Sequence, residues 1–506
     1  MKYSGLLALV VFAALPVLGQ TNLDLTTGKP RPMSLQDCFV EAIKHNLDIQ
    51  VERYTPQISL DNLSVAYGGY DPTFNAGGNH RYDVSGEDGL QPSVGDQNNF
   101  NAGLAGTAPW GTIYNLSGTV GENYGRNGAS GPIISTNPAT IPGPFDGTVG
   151  NIQITATQPL LKNFWVDSTR LAIKVAKNRL KYSDQTLRQQ IITSVTAVEN
   201  AYYELIFAEQ SVEVATQALV LAQTQLDQDQ QRVTIGSLAP LDVQQDQAQV
   251  ASSQANLINA ISTLGTDQRV LKNLITDEYS TWFNTPIQPS VSLEAPLQLF
   301  DLQDSWNKGL RNRPDLIQAK LDVEQQGFNL QYDRNQIYPE LDLIGTYGYN
   351  GQAREFSGAF NQINEGDRPY YEYGAQISVP LSNIRARSTY KSDKATKQVL
   401  LLKLKQLEQN IMVDIDNAVG VARSDYESVQ ANRQARIYAE AALDAEQKKY
   451  AVGKSTTFTV LQLQNNLTSA RSQEIRALAN YNQALATLSQ QEASTLERDK
   501  IDIRAE

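Results

Sequence analysis

Cysteine, histidine and methionine are almost missing from this chain. Its 506 residues hold one cysteine, two histidines and three methionines. A lone Cys38 excludes an intramolecular disulfide and any zinc site built on cysteine. His45 and His80 alone cannot assemble a catalytic triad or a histidine metal cluster, and no phosphate-binding loop is written in the chain. The scattered carboxylate pairs read as solvated helix faces. The chain is therefore not expected to be an enzyme, and neither a metal nor a cofactor is expected. Positive charge is also short. Lys and Arg number 42 against 54 Asp and Glu, a formal net charge of −12, which argues against nucleic acid as a partner.

Long apolar runs are the next absence. Met1–Gly19 reads as a secretory signal peptide, with Lys2 as its positive end and "LLALVVFAALPVL" as its core. Gln20, and no cysteine, follows the expected cleavage point, which argues against N-terminal lipidation. Beyond it nothing approaches a transmembrane helix. Entry into a membrane would then require a closed β-barrel. Proline and glycine are absent from about Asp167 to Arg232, so a helix of roughly 100 Å is predicted there.

What is present is a doubled layout. "LQDCFVEAIKHNLDI" (35–49) matches "LQDSWNKGLRNRPDL" (302–316), and 302 − 35 = 267. "YDPTF" and "YPEL" keep that offset. "ITATQPLL" (154–161) matches "AQISVPLS" (375–382) at 380 − 159 = 221. Gly236 and Gly453 match at 453 − 236 = 217. The same order of four matches points to an internal repeat. The divisions predicted are a signal peptide at 1–19, a first repeat at 20–277, a linker at 278–300, a second repeat at 301–495 and a tail at 496–506. Within the repeats, short helices are placed at 34–68 and 301–338. Strands fall at 72–160 and 340–381, and long helices at 165–277 and 384–495.

Four strands alternate with period two. Phe74, Ala76, His80, Tyr82 and Val84 share one face, and Asn75, Asn79, Arg81 and Asp83 the other. Leu341, Leu343, Tyr347 and Tyr349 oppose Asp342, Thr346 and Asn350. Ile152, Ile154 and Ala156 oppose Gln153, Thr155 and Thr157. Tyr371, Tyr373, Ala375 and Ile377 oppose Glu372, Gln376 and Ser378. Strands of about ten residues with one polar face suit either a water-filled transmembrane barrel or a soluble sandwich. Four strands cannot close a barrel when the smallest need about eight, so the barrel would be shared between chains. Phe100–Val120 reads as a further hairpin turning near Pro109–Gly111. It could extend above the membrane or add strands. Gly121–Gly150 reads as a surface loop.

The long helices keep a heptad. Ile191, Val198, Leu205, Val212, Leu219, Leu226 and Val233 form one column, and Ala201, Ala208, Ala215 and Ala222 a second. Ile415, Ala422, Val429, Leu443 and Tyr450 mark a less regular copy. The doubled layout, "QPLL" after a strand, and the turns "IG…LDVQ" and "YAVG…TVLQ" together resemble the TolC-type outer-membrane efflux proteins, over about Leu35–Gln490.

The resemblance implies an α+β membrane protein with an internal two-fold repeat, a homotrimer with one β-barrel, normally of twelve strands, continued by a periplasmic α-helical coiled-coil barrel. It implies an exit duct in the outer membrane of a Gram-negative bacterium, in contact with outer-membrane lipid. The duct would serve a periplasmic adaptor (a membrane fusion protein) and an inner-membrane pump of RND, ABC or MFS type. Ile235, Gly236, Ser237, Val452, Gly453 and Lys454 would be adaptor-contact tips. Thr459 and Gln462 stand where the family's gate carries aspartates, and Ser455, beside Lys454, where it carries an arginine. Asp242 and Asp246, four apart on one helix face, are expected to ring the pore instead and favour cations. The competing reading is a barrel-anchored structural or adhesive coiled coil without transport, which pore conductance would distinguish.

Overall fold

The computed structural model describes residues 29–86, 91–128 and 143–501, so the signal-peptide expectation lies outside the described residues. The chain opens with β1 (Arg31–Met33), α1 (Leu35–His45) and α2 (Leu47–Tyr67). A sheet segment follows with β2 (Thr73–Ser85), β3 (Ser93–Thr107), β4 (Ile113–Asn127) and β5 (Gly143–Pro159). Then come α3 (Ser168–Thr234), α4 (Pro240–Ile275), α5 (Tyr279–Trp282) and β6 (Ile287–Pro289). The second half runs α6 (Leu302–Asn312), α7 (Pro314–Gln336), β7 (Glu340–Ala353), α8 (Phe356–Glu365) and β8 (Pro369–Ser378). It closes with α9 (Ile384–Ala451), α10 (Thr457–Gln491) and α11 (Thr495–Arg498).

One sheet has the order β2-β3-β4-β5-β7-β8, antiparallel throughout. The four strands counted in the sequence are thus six, because Phe100–Val120 adds strands. The loop expected at Gly121–Gly150 is also corrected, since β4 runs to Asn127 and β5 starts at Gly143. The period signal fails here because β3 reads SVGDQNNFNAGLAGT, where Gly and Asn lack β-propensity and pairing on both sides supplies the order instead.

The register ties the six strands into rows. Phe74, Leu104, Leu116, Ile154, Tyr347 and Tyr371 stand side by side on one face. Thr73, Ala105, Asn115, Thr155, Thr346 and Glu372 form the row behind, and the Thr155 and Thr346 hydroxyls meet at 3.1 Å. Farther from the helices the apolar face turns polar. His80 Nδ1 lies 2.9 Å from Asn98, and Asn98 Nδ2 donates to Glu122 at 3.1 Å. The amphipathic helix α8 lies over the apolar face at this level. There Gly150 and Gly351 leave room for Ala359 and Ile363, while Phe356 and Phe360 stay exposed.

Strand turns into long helix through an asparagine in both halves. Asn163 (φ 65°) and Asn383 (φ 42°) adopt the left-handed region that Asn tolerates better than most residues. Gln336 Nε2 donates to Asn163 at 2.7 Å, and Asn383 Nδ2 to the Ile337 carbonyl at 2.9 Å. Asp167 then caps α3 by accepting from Arg170 N. The Arg170 guanidinium donates to the Phe164 and Pro109 carbonyls, both at 2.7 Å. That pins the β3–β4 turn to the head of α3.

Below the sheet, α3 packs along α2, α7, α4 and α10, and α9 along α7 and α10. The main core sits midway. Met33, Cys38, Phe39, Ile49, Ile191, Val195, Val198, Tyr202, Leu205, Leu271, Ile275, Ile287 and Leu496 are buried together. β1 pairs in parallel with β6, and Tyr202 Oη donates to the Met33 carbonyl at 3.0 Å. Arg498 of α11 bonds Glu199, which is 3% exposed. One 18-residue window of α3 reaches a mean hydropathy of 1.3, long and apolar enough for a membrane span. The expectation that nothing approaches this is therefore corrected. Only 28% of that window is buried, and α3 packs there among other helices of the chain, chiefly α4 and α10.

Candidate functional site: the helix-hairpin tips

Two turns reverse the long helices, and they are built alike. At the end of α3, Gly236 takes φ +76°, its N–H donates to the Val233 carbonyl and the Ser237 N–H to the Arg232 carbonyl. At the end of α9, Gly453 takes φ +72°, its N–H donates to Tyr450 and the Lys454 N–H to Lys449. Both are Schellman caps with glycine at the left-handed position. A Cβ at either glycine would meet nothing within 4 Å, so the backbone angle, not space, calls for glycine. Pro240 then starts α4 at a first-turn position, and the Thr456 hydroxyl caps α10 by accepting from Thr459 N. Ile235, Gly236, Ser237, Val452, Gly453 and Lys454 are all exposed at these tips, Ile235 at 78% and Val452 at 69%.

The two hairpins are joined through one carboxylate. Asp229 is fully buried. Tyr450 Oη donates to it at 2.7 Å and Gln225 Nε2 at 2.8 Å, while Thr457 Oγ1 lies 3.2 Å away. Arg232 stands 3.7 Å from the same carboxylate and lies over the Tyr450 ring, 4.3 Å from its centroid. Asp229 therefore ties α3 to α9 and α10. Sequence reasoning missed it, yet a signal was there. The alanine column 201, 208, 215, 222 reaches 229 next, and an acid stands where the small seam residue was due.

Asp246 departs from expectation. It was placed on an open helix face with Asp242, but it is fully buried, and neither carboxylate oxygen receives a donor. Burial first, then the Asp229 charge, then the hydrogen bond that a protonated Asp246 gives Asp229, and last the Asp242 charge push its pKa up to about 7. The reason is packing: Asp246 on α4 faces the α3 seam that holds Asp229. Asp242 is half-buried, Thr459 is half-buried and Gln462 is exposed. Ser455 Oγ donates to Glu446 at 2.6 Å. Among the described residues no group of three or more His, Cys, Asp or Glu is placed to hold a metal ion.

Known proteins share this architecture. The chain of the outer-membrane channel OprN superposes with a TM-score of 0.68 at 14% identity, over 95% of this chain and 98% of that one. The Campylobacter jejuni CmeC outer membrane channel gives 0.65 at 12% identity, over 91% and 86%. In sequence, the outer membrane protein TolC of Vibrio cholerae is 22% identical over 337 residues, 64% of this chain and 75% of that protein. The pyoverdine export outer membrane protein OpmQ of Pseudomonas aeruginosa is 23% identical over 319 residues, 62% of this chain and 64% of its own length. The family model for outer membrane efflux proteins matches residues 115–276 and 306–491. That is well over half of the chain and takes in both tips, so this chain belongs to the outer membrane efflux protein family and has its place in the outer membrane.

Proposed function

We propose that three copies of this chain form the exit duct of a tripartite export system. The sheet closes as a β-barrel in the outer membrane, and the long helices close as a periplasmic tube. An inner-membrane pump, of RND, ABC or MFS type, and a periplasmic adaptor would feed it. The observation that carries this reading is the pair of open edges. β2 and β8 each have one unpaired side and run in opposite senses, so β8 of one copy can pair antiparallel with β2 of the next. The helices are open on the same sides: α9 on the β8 side, α2 and α4 on the β2 side. Exposed apolar residues line both, with Val51, Tyr54, Ile58, Ile258 and Val270 against Val399, Leu402, Val413, Val421 and Tyr438. A contact between two different edges repeats head to tail, and it closes into a ring when the rotation per copy divides a full turn.

The apolar row Phe74-Leu104-Leu116-Ile154-Tyr347-Tyr371 would face lipid, and the row beginning at Thr73 the lumen. Trp110 and Trp165, exposed at the helix end of the sheet, suit the aromatic belt at the inner boundary. The exposed tip residues Ile235, Gly236, Ser237, Val452, Gly453 and Lys454 would meet the adaptor. Asp242, Thr459 and Gln462 would border the mouth. The buried Asp246 adds no carboxylate to such a ring, so the cation preference expected from the sequence is assigned to Asp242 alone.

Native mass spectrometry in mild detergent tests the assembly and should give a trimer; a stable monomer overturns it. Planar bilayers should record a pore, and no conductance would favour the adhesive alternative.

A further inference from the structure

The β3–β4 hairpin goes beyond what the doubled layout requires. Each half supplies an outgoing and a returning strand, β2 and β5 in the first, β7 and β8 in the second. β3 and β4 are inserted between β2 and β5, with no counterpart between β7 and β8. They are not a flap. β3 is paired with β2 from Ser85↔Ser93 to Thr73↔Ala105, and β4 with β5 from Ile113↔Thr157 to Asn127↔Gly143. Their turn is held at the head of α3 by Arg170, level with the starts of the other strands. They also carry the wall's two-sided pattern. Phe100, Leu104, Leu116 and Val120 continue the apolar face, and Asn99, Asn101, Asn115, Ser117 and Thr119 the polar one.

We infer that the β3–β4 hairpin is a wall element that sets the aperture, so that the three-chain duct proposed above exits through an eighteen-stranded barrel lined along each hairpin by uncharged amides and hydroxyls. This rests on that trimer reading. Strands lie about 4.8 Å apart and tilt by about 40°, so eighteen give a backbone radius of about 18 Å, against about 12 Å for twelve. The polar face of β3 and β4 has no charged residue: Asn99, Asn101, Asn115, Asn123, Gln97, Ser117 and Thr119 are neutral. Charge on the lumen face is left to the other strands, at Arg81, Asp83, Asp342 and Glu372, and each hairpin separates these with a neutral stretch of wall. The cargo class it fits is bulky, polar solutes.

Two measurements on the full-length protein decide this. Electron cryomicroscopy in lipid nanodiscs should count three subunits and eighteen strands. Three subunits around twelve strands, with the hairpin outside the wall, overturns the aperture and leaves the trimer. Two subunits around twelve strands overturns both the trimer and the wide exit. In planar bilayers, Asn101→Asp with Asn115→Asp should shift the reversal potential in a salt gradient toward cations, because both side chains face the lumen. No shift in a variant that still assembles and conducts overturns the lumen assignment of the hairpin. A neutral polymer of about 10 Å radius added on the outer side should enter the barrel and lower the current, since side chains narrow the eighteen-stranded bore only to roughly 13 Å. Its exclusion overturns the wide aperture.

Discussion

At the scale of single residues, the tip is held by a carboxylate pair of unequal fortune. Asp229 is satisfied by Tyr450, Thr457 and Gln225, whereas neither oxygen of Asp246 receives a donor. The folded-state pKa of Asp246, about 7, lies above its unfolded value near 3.8. The folded protein therefore prefers the protonated acid. The contribution of Asp246 to stability is fully present below about pH 4, is lost as pH rises toward 7, and stays absent above that. Asp246→Asn should remove this dependence and raise the tip's resistance to proteolysis at pH 8, as read by digestion rates across pH 4–8. Unchanged pH dependence would place the titration elsewhere. Tyr450→Phe leaves Asp229 short of its nearest donor and should destabilise the tip by about 1–3 kcal/mol. Gly236→Ala should cost about 1–2 kcal/mol through the left-handed backbone angle alone, seen in a lowered melting temperature, since space is open around it. Cys38 is fully buried and its thiol is pushed up to about 12, first by burial. It should resist maleimides in the folded protein and react once the protein is unfolded.

At the scale of elements, the strand faces make a paired prediction. Tyr347→Arg and Ile154→Lys should each cost roughly 2–4 kcal/mol of barrel stability near the membrane midplane, while Thr346→Arg and Thr155→Lys, one residue away, should be tolerated. Heat-modifiability on gels reads the difference, and equal behaviour of the two sets would refute the facing. These faces were legible because Ile152, Ile154, Tyr347 and Tyr349 alternate strictly with polar residues. The helix of 67 residues was legible because nothing between Ser168 and Thr234 breaks it. The tip glycines were legible because the turn repeats. β3 and β4 were only half legible: a hairpin with its turn near Pro109 could be read, but not that it joins the sheet, since pairing with distant β2 and β5 creates it. α8 was not legible at all, as ten residues between two strands carry too little period. Asp229 was legible only as a break in the alanine column, and its partner Tyr450 lies 221 residues on, beyond any local pattern.

At the scale of the whole molecule, the mid-molecule core gathers its members from almost the entire described chain. Met33 and Leu496 are in it, and Arg498 holds Glu199. Arg498→Ala would leave a carboxylate that is 3% exposed without its cation. The expected loss is about 2 kcal/mol, less than for a fully buried pair because Arg498 itself is partly open to water. Thermal unfolding of the purified assembly measures this, and an unchanged midpoint would show that the core does not depend on the C-terminal end.

The pairing of β1 with β6, and of α11 with α3, sets an order of events in the life of the chain. Residues 31–33 have no partner until residue 289 has emerged, and the core they border stays open until Arg498 arrives. A chain delivered through the inner membrane from its first residue onward cannot lock this belt during delivery. Its most distant contacts come last, which slows folding and leaves apolar helix faces uncovered meanwhile. The belt is thus a late-closing clasp: it can form only after Ile287–Pro289 and Arg498 have joined the segments they hold.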